Sequence, residues 1–340
     1  VTTVQPPPTA SVSIVEPADD AEPLPRAKAG GWLKLGFLMA VLALGALFVA
    51  RRRGELSVVF GELSWPAVVA AVPLAVLAQV AAMTAYRAIM ADLGAPLPVA
   101  PAGRVYFVSQ LGKYLPGTVW GMVALVTLSR EYRIMRKTSL AAGLLALAFS
   151  VATAMLLAAL LLPFGALASV RHFWYVGLLI PVALVGLHPR VVGAALDAAL
   201  RRLGRLPMPR RMSYAGTLRV AGWQSLSWLL FGLHAWALVL GLGGAASPVT
   251  LAVCTGGFAL SYGIGPLFVL MPAAAGVRET AIVLTFGAAV GGTTALAVAL
   301  VSRIVLLAVD FGQAGLWSIG ARRPARAPRS ARAPRLRPRL

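Results

Sequence analysis

The sequence predicts an all-α bundle of about seven or eight helices that crosses a membrane repeatedly, and three observations carry that prediction. Of 340 residues, 59% are hydrophobic and only 12% charged, with a mean hydropathy of +0.81. A soluble domain carries roughly twice that charged fraction, because its surface faces water. Apolar residues fall in blocks of about twenty, and twenty helical residues rise about 30 Å, the thickness of the hydrocarbon layer. The net charge of +20 gathers at the ends of those blocks, where cytoplasmic loops collect Lys and Arg. That placement argues against nucleic acid as a partner. Cys254 is alone, and His172, His188 and His234 are scattered, so no disulfide, metal site or cofactor is expected.

Three domains follow in order. Residues 1–30, rich in proline and acid, form a disordered N-terminal segment. Residues 31–320 form the membrane domain, and residues 321–340 an Arg/Pro-rich tail. The run Trp32 to Ala50 is preceded by about thirty polar residues and followed by Arg51-Arg52-Arg53. It therefore reads as a retained first helix rather than a cleaved signal.

Trp65 to Leu93 is the second helix, with Pro73 tolerated inside it. Pro101 to Arg130 is apolar but broken at Gly112-Lys113-Tyr114-Leu115-Pro116-Gly117. Ser139 to Leu162, Phe173 to Leu187 and Leu218 to Leu242 read as uninterrupted spans. Pro248 to Val290 is broken at Met271-Pro272-Ala273-Ala274-Ala275-Gly276, and Ala295 to Ile319 is the last span. Between Pro189 and Tyr214, apolar residues recur at helical spacing beside Arg201, Arg202 and Arg205; either an interfacial helix or a solvated basic loop suits that pattern. The tail holds eight arginines, four prolines and no acid, which suits contact with an anionic leaflet and a cytoplasmic C-terminus.

Placing the tail inside assigns the loops backwards without conflict as far as Arg130. Before that point, 101–130 either spans once or re-enters. The re-entrant hairpin makes helix 65–93, segment 101–130 and helix 139–162 match helix 218–242, segment 248–290 and helix 295–319 in opposite orientation. Such an inverted repeat is a recurring transporter architecture, and its breaks mark the substrate site near the midplane.

Charges inside a bilayer are costly and functional by default. Lys113 lies in the first break, beside a helix start after Pro116 that favours an anion; the alternative is a lysine snorkelling to the interface. Arg278 and Glu279 open the helix after the second break. Arg278 suits a phosphate bidentately, and Glu279 is expected to orient Arg278 or to take a proton or a cationic headgroup. A neutral Arg–Glu pair that fixes packing is the alternative. Arg303 and Asp310 share one helix face about 10 Å apart, which argues for separate partners. Gln79, Gln110, Gln224, Gln313 and His234 suit interhelical hydrogen bonding.

At the two breaks the sequence resembles the flippase-like family named after the lysylphosphatidylglycerol synthase transmembrane region. The resemblance rests on Gly112-Lys113-Tyr114-Leu115-Pro116-Gly117-Thr118-Val119-Trp120 and on Pro272 with Gly276-Val277-Arg278-Glu279. His188-Pro189-Arg190 and Arg303 extend it over about 60 to 320. It implies an integral protein of about eight helices in a bacterial-type cell membrane. It makes Lys113, Tyr114, Pro116, Gly117, Pro272, Gly276, Arg278, Glu279, Arg303 and Asp310 the substrate-site candidates. Two departures stand out. No synthase domain lies within these residues, so lipid aminoacylation is not the expected reaction. The family's Glu-Arg pair early in the fourth helix is also missing, since Leu147-Ala148-Phe149-Ser150-Val151 is uncharged.

The expected function is lipid translocation, not enzymatic catalysis. The cargo would be an anionic or aminoacylated phospholipid or a polyprenyl-phosphate-linked glycan. No GxxxxGK[ST] loop is present for nucleotide hydrolysis. An intramembrane glycosyltransferase using Glu55 or Glu62 is one alternative. A non-transporting membrane partner of a lipid synthase is another, and a homo-oligomer is a further expected arrangement.

Overall fold

The computed structural model of the protein describes residues 63–115, 119–165, 179–186, 188–202, 212–267 and 276–320, with isolated positions 54, 57 and 61. The expected first helix, the two expected disordered segments, Pro116, Gly117 and Pro272 lie outside these residues.

Every described element is helical. In chain order they are α1 (Trp65–Asp92), α2 (Val99–Gln110), a 3-10 turn (Leu111–Tyr114), α3 (Val119–Arg130), α4 (Arg136–Gly165), α5 (Leu179–Gly186) and α6 (Pro189–Arg202). Then come α7 (Tyr214–Gly241), α8 (Pro248–Gly263), a second 3-10 turn (Gly265–Leu267), α9 (Val277–Val290) and α10 (Gly292–Gly320). Four of them, α1, α4, α7 and α10, are long and apolar enough to cross a membrane. The all-α polytopic bundle is therefore what the residues build.

Three of these spans begin three or four residues before their apolar onset. For α7 the reason is a cap: the Ser213 hydroxyl accepts from Gly216 N at 2.9 Å, so Tyr214–Thr217 join the helix. Ser247 does the same for α8 through Thr250 N at 3.1 Å. Of the expected span Phe173 to Leu187, the described helical part is Leu179–Gly186. The basic 189–214 stretch does contain a helix, α6, whose Arg201 and Arg202 are exposed.

α1 and α7 pack antiparallel and are clasped at both ends. Ser64 N donates to Gly241 O at 2.9 Å, and at the other end Asp92 accepts from Ser213 N at 2.7 Å and Ser213 Oγ at 2.9 Å. Along the seam Ala71, Ala75, Ala78, Ala82 and Ala85 are buried at three- or four-residue spacing. Small residues let the backbones approach where there is no water to squeeze out. His234 of α7 crosses the seam, bonding Ala71 O at 2.9 Å and Ser302 Oγ of α10 at 3.0 Å.

The two broken segments are helical hairpins. The arms of the first, α2 and α3, have 12 residues each, and those of the second, α8 and α9, have 16 and 14. At 1.5 Å per residue these arms rise about 18–24 Å, too little to cross the hydrocarbon layer. In each hairpin the two arms pack on one another. α2 lies against α10, and α8 lies against α4. Exchanging α1–α4 for α7–α10 thus maps the principal packing partners onto each other. One hydrophobic cluster surrounds each hairpin: α1's first half, α7, α8, α9 and α10 form one, and α1's second half with α2, α3 and α4 forms the other.

Charge separates the ends of the bundle. Arg104 pairs with Glu131 at 2.6 Å, which joins α2 to the basic 130–137 loop, and His188 meets Tyr214 at 3.3 Å, which brings the start of α6 to the same end. At the opposite end, described residues 63–65, 162–165, 241–249 and 290–294 contain no charge.

Gly112 explains the glycine at the first break. A Cβ there would sit 2.3 Å from Gly121 N and 2.5 Å from Gly121 Cα, on the backbone of α3, so the hairpin closes only around a glycine. Gly112→Ala is expected to cost about 1–3 kcal/mol, read as a lower unfolding temperature in detergent. Gly222→Ala, where nothing lies within 4 Å, should leave that temperature unchanged or slightly raised, since alanine is the better helix former.

Candidate functional site

α10 carries two ionisable side chains far from either end. Its 29 residues rise about 43 Å, which puts Arg303 about 17 Å from its start and Asp310 about 15 Å from its finish. Asp310 is 3% exposed and is surrounded by donors. Lys113 Nζ lies 2.6 Å from Asp310 Oδ2, the Tyr114 hydroxyl donates to the same oxygen, and Gln79 Nε2 donates to Oδ1 at 2.8 Å. The tip of the first hairpin is therefore tied to α10 by a lysine and a tyrosine, with α1 supplying the third partner. Tyr114 also stacks on Phe311 with ring centroids 5.8 Å apart.

The second hairpin is tied to the same helix one step along. Arg303 forms an ion pair with Glu279. Glu279's other oxygen accepts from Gly276 N at 2.7 Å, which caps α9 where its first N–H groups have no helical partner. Gly276 holds φ +84°, a left-handed conformation open to glycine at no steric cost. Arg303 and Asp310 do have separate partners. The expectation that Glu279 orients Arg278 is corrected: Glu279 faces α10, because Arg303 and the cap claim its two oxygens.

Arg278 points elsewhere. Its guanidinium carbon sits 3.4 Å from the centroid of the Tyr262 ring, within cation–π range. Its Nε is buried with no hydrogen-bond partner, and no carboxylate among the described residues pairs with it. Tyr262 is braced from behind by Phe258 at 4.9 Å and Phe231 at 5.7 Å between ring centroids.

The two hairpin tips share one cavity of about 370 Å³. Lys113 enters its wall from the first hairpin, and Arg278 and Tyr262 enter from the second. Much of the remaining wall is apolar, built from residues such as Ala82, Ile89, Leu125 and Phe149. Leu115 and Leu147 also line it while being 46% and 44% exposed, so the cavity wall reaches the outer surface of the bundle beside α4.

The structure thus brings Lys113 and Tyr114 to Asp310, and Gly276 and Arg303 to Glu279; the sequence named these residues as candidates without these pairings. Sequence reasoning missed Tyr262, whereas the interhelical hydrogen bonding expected of Gln79 is what the bond to Asp310 shows. The interruption in the second segment also starts earlier than expected, while Met271 to Ala275 lie outside the described residues. α8 ends at Gly263 and turns at Gly265–Leu267, and Gly263, Gly265 and Pro266 were the available signal. No group of three or more His, Cys, Asp or Glu suited to a metal occurs among the described residues.

A model of the family described as the lysylphosphatidylglycerol synthase TM region matches residues 32–311. No curated protein matches the chain.

The Lys113–Asp310 pair gives a stability test. Lys113→Met or Asp310→Asn alone strands one member of the pair. The loss should be about 3 kcal/mol or somewhat less, because Lys113 is 32% exposed. The double variant should recover part of that loss in thermal unfolding. Additive losses would show that the two side chains are energetically independent.

Proposed function

The chain belongs to the lysylphosphatidylglycerol synthase TM region family, and on that premise we propose that this integral membrane protein is a lipid translocase rather than an enzyme. Its cargo is an anionic or aminoacylated phospholipid or a polyprenyl-phosphate-linked glycan. The observation that carries the reading is the placement of Arg278 and Lys113, on the tips of different hairpins, in the wall of one deep and largely apolar cavity.

The hairpins are re-entrant. Arms too short to span must return to the side from which they came, and irregular backbone at that depth is tolerated where protein or a cavity covers it. Because α1 and α7 run antiparallel, the units α1–α4 and α7–α10 are inverted copies, and their hairpins enter from opposite faces. The basic end of the bundle faces the cytoplasm. α10 finishes there, since the Trp317 ring lies against Gly103, near the start of the first hairpin, so the C-terminus is cytoplasmic. The membrane is a bacterial-type cell membrane.

In this reading a headgroup enters from the basic end and passes the Tyr86–Tyr106 pair, whose ring centroids are 5.7 Å apart. Its phosphate reaches Arg278, and its tails leave the cavity wall past Leu115 and Leu147 into lipid. Rocking of one inverted unit against the other then exposes the site to the opposite face. Since each hairpin tip is tied to α10, that helix is the part against which the tips shift.

Proteoliposomes test this directly. A headgroup-labelled anionic lipid should exchange between leaflets at least about tenfold faster with the protein than without it. Arg278→Gln should remove the acceleration at unchanged unfolding temperature, and Arg278→Lys should keep part of it, since the charge stays and the fork is lost. Exchange no faster than in protein-free vesicles would sink the proposal.

A further inference from the structure

Deep in the bundle the hairpins and α10 carry Lys113, Arg278, Arg303, Glu279 and Asp310, three cations against two anions. Each carboxylate is already used: Asp310 by Lys113, Tyr114 and Gln79, and Glu279 by Arg303 and the Gly276 N–H. Residues 116–118 and 268–275, which join the described arms in sequence, contain no ionisable side chain. Among the described residues Arg278 is therefore the cation left over; it lines the shared cavity, and its Nε is buried without a hydrogen-bond partner. A buried charge without an opposite charge beside it is strongly unfavourable, so the missing counter-ion must come with the ligand.

Resting on the translocase reading for the site itself, we infer that the cavity accepts one negative charge at a time. Its ligand is the monoanionic phosphodiester of a lipid headgroup, and it rejects phosphomonoesters and diphosphates. The geometry of Arg278 suits this. With one face on Tyr262, the guanidinium keeps its planar set of N–H donors for a ligand, and such a set matches the two non-bridging oxygens of a phosphodiester. A phosphomonoester carries about 1.5–2 negative charges near neutral pH. The extra charge has two places to go. It either draws Lys113 away from Asp310, stranding a carboxylate that is 3% exposed, or it stays unpaired against Ala82, Ile89, Leu125 and Phe149. Both outcomes are unfavourable in a dry wall.

Phospholipids and polyprenyl-phosphate sugars both present a monoanionic phosphodiester, so the test uses both. The full chain in a phosphate-free maltoside detergent at pH 8 is titrated with dioleoylphosphatidylglycerol and a polyprenyl-phosphate hexose. Dioleoylphosphatidic acid and the polyprenyl monophosphate are the dianionic counterparts. Binding is read by native mass spectrometry and by the shift in unfolding temperature. At least one diester should bind, and its dianionic counterpart should bind about tenfold or more weakly; which diester binds identifies the source of the headgroup. Asp310→Asn and, independently, Glu279→Gln each add one net positive charge and should narrow that preference. Equal affinity for diester and monoester, failure of both diesters to bind, or an unchanged preference in a folded variant overturns the inference. If neither variant folds, the lipid comparison on the unaltered chain decides alone. Loss of transport with the diester preference intact would count against translocation and leave the charge rule standing.

Discussion

Asp310 is the interaction on which the remainder of the structure depends. A carboxylate held near the middle of a span must find partners within the protein, because lipid offers none. It finds three of them on two separate elements: Lys113 and Tyr114 at the tip of the first hairpin, and Gln79 on α1. That requirement sets how far the hairpin penetrates and fixes the rotation of α10 about its axis. With α10 so oriented, Arg303 faces Glu279 at the start of α9, and the second tip is located as well. One buried charge thus positions both discontinuities, and the fold and the site are a single problem.

The hairpin tips would be untenable without close backbone contact. At each tip the helical ladder stops, and the freed N–H and C=O groups need cover. In the first hairpin, cover comes from α3 pressed against Gly112. In the second, Glu279 closes over the Gly276 N–H while Tyr262 and its ring neighbours wall off the opposite side. The solutions differ in chemistry although the helical order is the same. Glu279, which caps that backbone, is held by Arg303 instead of Arg278, and Tyr262 takes one face of the Arg278 guanidinium.

The helical order was legible because it follows from element lengths and apolar blocks, which a single chain displays. The first break was legible because Gly112, Pro116 and Gly117 interrupt an apolar run, and the cations at both breaks stood out against uncharged surroundings. What could not be read was pairing. Gln79 and Asp310 are separated by 231 positions, and nothing local to either says that they face one another. Glu279 was read against its neighbour Arg278 for the same reason: adjacency in sequence suggested a pair, whereas successive helical residues project about 100° apart and diverge. Tyr262 was overlooked because an aromatic within an apolar stretch resembles core until the cation above it is seen.

The uncharged stretch Leu147–Val151 acquires a meaning from this arrangement. Leu147, Phe149 and Ser150 all belong to the cavity wall, so an acidic–basic pair at that level would have lain beside the cavity holding Arg278. Such a carboxylate would compete for the guanidinium and satisfy it internally. With none there, the electrostatic demand of Arg278 is left open, and the wall opposite stays apolar and poorly able to solvate additional charge. Selectivity in this picture arises less from contacts made than from one contact withheld: of the two cations among the described residues that line the cavity, Lys113 has a carboxylate in Asp310 and Arg278 has none.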